Sequence, residues 1–283
     1  MKKNKELLII SILASIAAGD KILEVYQTDF SVTEKSDKTP LTVADQKSHN
    51  TIMSFLKKTE IPVLSEEGRD IPYEERSKWE RLWVVDPLDG TKEFIKRNGE
   101  FTVNIALVET GMPILGVIFI PVTQVLYFSL KGEGCWRLSD TDMMLHLKKH
   151  GNEKVDDSLL EKIRNQSKKL SYEKTTDTLF TVVGSRSHPS PDLETFVREK
   201  EKEYEHVQMV SAGSSLKFCL VAEQKADIYP RFGPTMEWDT AAGQAIAEGA
   251  GAGVFRMDDG MSLAYNKPDL LNPFFKVYYP ENK

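Results

Sequence analysis

Cysteine is almost missing from this chain: Cys135 and Cys219 are the two in 283 residues, and they lie far apart. That excludes a disulfide framework of the kind that staples small secreted domains, and neither residue has the spacing of a zinc site. Two buried thiols in a reducing cytoplasm are expected, with a single disulfide left open. An excess of basic charge is also lacking. Lys and Arg number 37 against 43 Asp and Glu, for a net charge of −6. This argues against a partner that is a nucleic-acid polymer and against adhesion to an anionic membrane. A small nucleotide ligand stays compatible, because metals and a few cations can reverse the local potential. Long apolar runs, internal repeats and low-complexity tracts are missing too, so no membrane span is expected. What is present, 40% hydrophobic and 28% charged residues, is the composition of a globular chain with a sizeable core.

The first residues could mislead. Lys2, Lys3 and Lys5 precede a largely apolar stretch from Leu7 to Ala18, followed by Gly19, which resembles a secretory signal. An apolar stripe at helical spacing (Ile9, Ile12, Ile16, Leu23, Tyr26) continues past the supposed cleavage point, so a retained helix is expected. A cytoplasmic location is therefore favoured, with peripheral attachment to the inner face of the cell membrane not decided, nor whether the chain is a monomer or a homodimer.

Further along, Thr33–Leu41 reads as a mobile loop and Thr42 to about Lys58 as a helix. Strands are expected near 62–65, 81–85, 101–109, 114–120 and 125–130, with Gly111 and Pro113 marking a hairpin. A surface helix is expected over Ser158–Lys169. From Phe180 strands near 180–183, 206–210 and 226–229 alternate with helices near 191–202, 214–223 and 239–249, the pattern of an α/β unit. The expected division is an N-terminal α+β half (1–147) with a largely antiparallel sheet, a charged connector (148–178), and a C-terminal α/β half (179–283).

The chemistry concentrates in three segments. Residues 83–94 read Trp-Val-Val-Asp-Pro-Leu-Asp-Gly-Thr-Lys-Glu-Phe, a buried strand running into two carboxylates. Pro87 stiffens the turn and Gly90 permits a tight bend. Residues 63–68 (Val-Leu-Ser-Glu-Glu-Gly) end an apolar strand in two acids. Residues 237–243 (Glu-Trp-Asp-Thr-Ala-Ala-Gly) open a small-residue helix with acids. All-oxygen ligands at the ends of regular elements suit a hard divalent cation such as Mg²⁺. Taken singly, Asp-Pro-Leu-Asp-Gly could be an ordinary turn, Asp239 a helix cap, and Asp45 an exposed acid at a helix start.

Together these segments resemble the inositol monophosphatase superfamily over about Leu7 to Tyr279, and within it the bisphosphate nucleotidase branch. The finer markers are Gly-Ser-Arg-Ser-His (184–188), Gly-Ser-Ser-Leu-Lys (213–217) and the run from Asp227 to Asp239. The resemblance implies a layered αβαβα sandwich with the active site between the halves. It implies a lithium-sensitive phosphatase using two or three Mg²⁺. Glu66, Asp86 and the Leu88 carbonyl would hold one ion, and Asp86, Asp89 and Asp239 another, with Glu67 ranking behind Glu66. Asp45 and Thr91 would orient the attacking water. Gly90 and Thr91 would meet the scissile phosphate. Substrate contacts are expected from Ser185, Arg186, Ser187, His188, Ser214, Lys217 and Arg231, with Glu66, Asp89 and Asp239 also touching the phosphate. The implied reaction is hydrolysis of the 3'-phosphate of adenosine 3',5'-bisphosphate to AMP, linked to sulfate assimilation. Inositol monophosphate or a sugar bisphosphate is the rival substrate, and a non-catalytic metal- or nucleotide-sensing protein is the rival of another class.

Overall fold

The N-terminal apolar segment folds as one uninterrupted helix, α1 (Lys2–Tyr26), in the computed structural model, which describes residues 2–29, 32–34, 40–150, 155–173, 178–186 and 190–280. Ile9, Ile12, Ile16, Ala18 and Ile22 are fully or almost fully buried, on both sides of the supposed cleavage point. The seam continues through Ile22 and Val25; Leu23 and Tyr26 are half-buried. No helix among the described residues is long and apolar enough to cross a membrane.

Part of the segment expected as a mobile loop instead forms two short antiparallel strands, β1 (Val32–Glu34) and β2 (Pro40–Thr42), whose backbones satisfy each other. The intervening 35–39 lie outside the described residues. Helix α2 (Val43–Leu56) follows directly, started by a capping box in which Thr42 and Asp45 bond reciprocally.

The central layer is a seven-stranded sheet, in the order β3 (Val63–Ser65), β4 (Arg81–Asp89), β5 (Thr102–Glu109), β6 (Met112–Ile120), β7 (Val125–Leu130), β8 (Gly134–Leu138) and β9 (Ser167–Leu170). The β3–β4 pair is parallel and the others antiparallel. Its central strands are apolar on both faces because both faces are covered. In β4, Trp83 and Val85 face α1 and α2, whereas Leu82 and Val84 face the opposite layer. The expected hairpin is present: Thr110 and Gly111 both take positive φ between paired Glu109 and Met112.

The surface helix expected over Ser158–Lys169 is shorter. Helix α6 (Asp157–Asn165) stops, and the next residues become the edge strand β9. Pairing to β8 buries Leu170 between the sheets, and Arg164 lies over the Trp136 ring at 4.2 Å. These tertiary contacts override the local helical pattern.

The second sheet has the order β11 (His206–Ala212), β10 (Leu179–Ser185), β12 (Ile228–Arg231), β14 (Phe275–Tyr278) and β13 (Gly253–Arg256). The first three strands are parallel, as the alternating pattern implied; β13 and β14 add an antiparallel edge. Helices α8 (Leu216–Ala222) and α9 (Glu237–Ala250) fill the space between the two sheets. Helix α7 (Pro191–Glu203) covers the outer face of the second sheet. The result is the layered αβαβα sandwich.

Helix α9 can lie this close to β6 because of Gly116. A Cβ there would sit 2.6 Å from Ala245 Cβ and 2.8 Å from the Ala242 carbonyl oxygen. Both neighbours belong to a helix packed on either side, so relief requires moving backbone. Gly116→Ala is expected to lower unfolding free energy by about 1–3 kcal/mol. Urea denaturation at equal m-value checks this, and an unchanged midpoint would show that α9 has slack.

Candidate active site

Strand β4 ends in an irregularity. Pairing with β5 is regular up to Asp86–Asn104 and resumes at Asp89–Thr102, so Pro87 and Leu88 form a bulge. Leu88 N–H donates to Asp86 Oδ1 at 3.0 Å, the self-bonding that makes Asp a turn former. From the other side, Ser48 on α2 donates to the Pro87 carbonyl at 2.6 Å. Gly90 then turns the chain at φ 93°, where a side chain would strain the backbone, and the short helix α4 (Thr91–Ile95) begins. Both aspartates are thus held on a rigid loop, Asp86 buried and Asp89 half-buried.

The third acid comes from the far sheet side. Asp239 lies in the first turn of α9, where its Oδ2 accepts the Met236 N–H at 2.6 Å. It therefore does bond the helix start, three residues in from the cap. Ligand oxygens of Asp86, Asp89 and Asp239 lie within 4.8 Å of one another. Glu66 follows β3 and lines the same cleft, close enough to raise the Asp86 pKa through charge and a hydrogen bond. Glu67 bonds Gln46 Nε2 at 3.2 Å and does not line the cleft.

The cleft occupies about 260 Å³. One wall is Glu66, Asp86, Leu88, Asp89, Gly90 and Thr91; the other carries Ser185, Ser214, Lys217 and Arg231. Thr91 Oγ1 is 3.3 Å from Asp45 Oδ1 and 3.4 Å from the Leu88 carbonyl. Asp45 is itself buried, its Oδ2 accepting the Thr42 N–H at 2.7 Å and the Thr42 hydroxyl at 2.6 Å.

Placement separates the expected substrate contacts. Lys217 is buried, with its ammonium bonded to the Ser214 carbonyl and lying 5.4 Å from the Tyr229 ring centroid. It is a floor residue, not an outward-reaching cation. Arg231 donates to Thr235 Oγ1 at 2.7 Å and to the Pro234 carbonyl at 3.0 Å. Arg186 is exposed and does not line the cleft, gripping both oxygens of Glu100 at 2.7 and 2.8 Å. Ser187 and His188 lie outside the described residues.

Several residues of the site were not singled out as site residues from the sequence, although only Asn104 and Phe218 lie outside the quoted segments. Asn104 and Ser215 bond Asp89, and Lys92, Glu93, Phe218, Tyr229 and Thr235 line the cleft. Asn104 had one legible signal: with Thr102 it is a polar interruption of an otherwise apolar strand. Glu237, two residues before Asp239, points elsewhere; it is fully buried and bonded to Lys267 Nζ at 2.6 Å.

The electrostatics are those of crowded acids. Burial, then Glu66, Asp89 and Asp239, push the Asp86 carboxyl well above its usual range. Asp89 is also raised by burial, with Ser215, Lys217 and Asn104 pulling it back. Burial first, then the charges of Asp89 and Glu66, push Asp239 up to about 7. Burial also brings Lys217 down to about 8 against the pull of Asp89. The donor set is entirely oxygen and carries several negative charges around one partner ammonium, which fits a hard divalent cation.

A carboxyl with a raised folded pKa binds a proton that the unfolded chain has already released. From its ordinary 3.8 to about 7, Asp239 therefore makes stability fall as pH rises. In EDTA, the melting temperature is expected to drop between about pH 4 and pH 7. Asp239→Asn, which keeps an acceptor for Met236, should remove part of the drop. Identical pH profiles for the two proteins would contradict the crowding.

Comparison with known proteins agrees with this geometry. The family model described as Inositol monophosphatase family matches residues 3–277. The chain is 45% identical over 266 residues to 3'(2'),5'-bisphosphate nucleotidase CysQ of Shigella flexneri, covering 92% of this chain and 94% of the relative. It is 32% identical over 276 residues to the CysQ of Haemophilus influenzae, covering 96% and 92%. The crystal structure of CysQ from Bacteroides thetaiotaomicron superposes with a TM-score of 0.86 at 46% identity, covering 99% of this chain and 98% of that one. The suhB protein of Bartonella henselae, at 20% identity and a TM-score of 0.71, shares the fold. A carboxylate cluster at the seam of an αβαβα sandwich and a family match spanning nearly the whole sequence lead to one conclusion: this chain belongs to the inositol monophosphatase family.

Proposed function

We propose that this chain is a Mg²⁺-dependent 3'(2'),5'-bisphosphate nucleotidase that hydrolyses the 3'-phosphate of adenosine 3',5'-bisphosphate to AMP. The observation that carries the reading is the cleft itself, in which clustered carboxylates from both sides meet Lys217 and Arg231. Near-full-length relatives named as this nucleotidase support the choice of substrate. The bisphosphate is the by-product of sulfate activation and sulfotransfer, which links the activity to sulfur assimilation.

Asp86, Asp89, Asp239, Glu66 and the Leu88 carbonyl are the groups that would hold the divalent ions. Bound there, the ions supply positive charge that polarises the phosphoryl oxygens and acidifies water. The protein's own part is positioning. Asp45, anchored by Thr42, accepts the Thr91 hydroxyl proton, which leaves the Thr91 lone pairs to orient an attacking water. Gly90, bare of a side chain, lets a phosphate approach the loop backbone. Ser185, Ser214, Lys217 and Arg231 face a substrate from the second half, and a buried ammonium in a low-dielectric floor attracts a phosphate more strongly than a solvated one. Their charge favours a substrate with a second phosphate over a small monophosphate.

A panel of adenosine 3',5'-bisphosphate, inositol monophosphate and a sugar bisphosphate at fixed Mg²⁺, read by phosphate release, tests the reading. The nucleotide should show the highest kcat/KM, activity should vanish in EDTA, and lithium should inhibit. A higher kcat/KM for inositol monophosphate would overturn the substrate assignment. Asp89→Asn is expected to lower kcat at least 100-fold, about 3 kcal/mol of transition-state stabilisation, with far-ultraviolet circular dichroism unchanged. Wild-type turnover in that variant at saturating Mg²⁺ would remove Asp89 from the metal set.

A further inference from the structure

Asp89 is anchored through one of its two oxygens. Its Oδ2 accepts from Ser215 Oγ at 2.6 Å and from Asn104 Nδ2 at 3.1 Å. Asn104 Nδ2 also reaches Ser215 Oγ at 2.8 Å, so three side chains close a ring. An amide nitrogen offers two hydrogens and a hydroxyl one. The two amide hydrogens go to Asp89 and Ser215. The serine hydrogen goes to the charged oxygen of Asp89, nearer than the Asp239 carbonyl at 3.1 Å.

The amide is itself locked. Thr102 Oγ1 donates to Asn104 Oδ1 at 3.0 Å, which turns Nδ2 toward Asp89. Thr102, Asn104 and Ser215 are all buried, so each hydrogen bond is shielded from competing water. Oδ2 is thereby occupied twice, while no described residue donates to Oδ1. The ring also spans the seam: Asn104 belongs to β5 of the first sheet, and Ser215 immediately precedes α8, which packs on the second.

We propose that Ser215 and Asn104 are positioning residues that fix Asp89 as a one-oxygen ligand, presenting Oδ1 to a divalent cation across the seam between the halves. This rests on the metal reading above. A carboxylate freed from the ring could rotate, take a proton, or bind an ion through both oxygens at a different distance. Outer partners of this kind typically change metal affinity 10–100-fold.

The test is calorimetric titration of the metal-free full chain with Mg²⁺ alone, with no nucleotide present. Ser215→Ala should weaken Mg²⁺ binding by roughly 10–100-fold while the melting temperature in EDTA stays near that of wild type. Ser215→Thr, which keeps the hydroxyl, should bind Mg²⁺ nearly as wild type does. Asn104→Ala should show a similar loss, and it carries the test if Ser215→Ala does not fold. The double variant should lose less than the product of the two single losses, because both groups serve one oxygen. Wild-type affinity in Ser215→Ala would overturn the proposal, as would equal weakening in Ser215→Ala and Ser215→Thr, which would mark a packing role. A wild-type chain that takes up no Mg²⁺ would overturn the metal reading, and this inference with it.

Discussion

Four carboxylates, Asp86 buried and Glu66, Asp89 and Asp239 half-buried, converge on one cleft, and the rest of the structure serves to hold them there. Two unit charges about 5 Å apart repel by about 3 kcal/mol at an effective dielectric near 20, and burial adds to the penalty. Asp86, Asp89 and Asp239 meet within that range, with Glu66 beside them and Lys217 as the buried cation in the same cleft. No sequence would retain such an arrangement for stability alone. The fold has to force it, and a proton or a cation would relieve it.

Force is applied by pinning each acid through one oxygen and leaving the other to the site. Asp45 spends Oδ2 on Thr42 at the start of α2 and turns Oδ1 toward Thr91. Asp239 gives Oδ2 to the Met236 N–H at the start of α9. Asp89 gives Oδ2 to Asn104 and Ser215. Two of these anchors are ordinary helix starts, so the reading of Asp45 and Asp239 as capping acids and the reading of them as site residues describe the same geometry. The strands and helices that bring the anchors together are themselves fixed by packing: α9 lies wedged between two sheets, and its approach to β6 depends on Gly116.

Much of this was legible in the sequence, for identifiable reasons. The buried strands announced themselves because β4 through β7 are apolar on both faces, and the acids stood out because they end those strands. Helix α1 could be told from a secretory signal because its stripe continues past Gly19. What stayed hidden depended on tertiary context. Residues 167–169 read as helix, yet pairing with β8 makes them part of a strand, and the short β13 and β14 are held by each other and by β12. Lys217 read as a cation reaching the substrate; its burial comes from the packing of α8, which spacing alone does not reveal. Arg186 read as an expected substrate contact; its pairing with Glu100, 86 positions away in the chain, is a tertiary contact that spacing does not reveal. Ser215 and Asn104 were passed over because a serine and an asparagine acquire a role here only through each other.

The most direct test of the central claim is the anomalous difference map from a crystal soaked in Mn²⁺ in place of Mg²⁺. Density is expected among Asp86, Asp89 and Asp239, within coordination distance of one oxygen from each, with a further peak on the Glu66 side. A cleft without anomalous density at saturating Mn²⁺, or an ion bound elsewhere with the three aspartates unengaged, would contradict it.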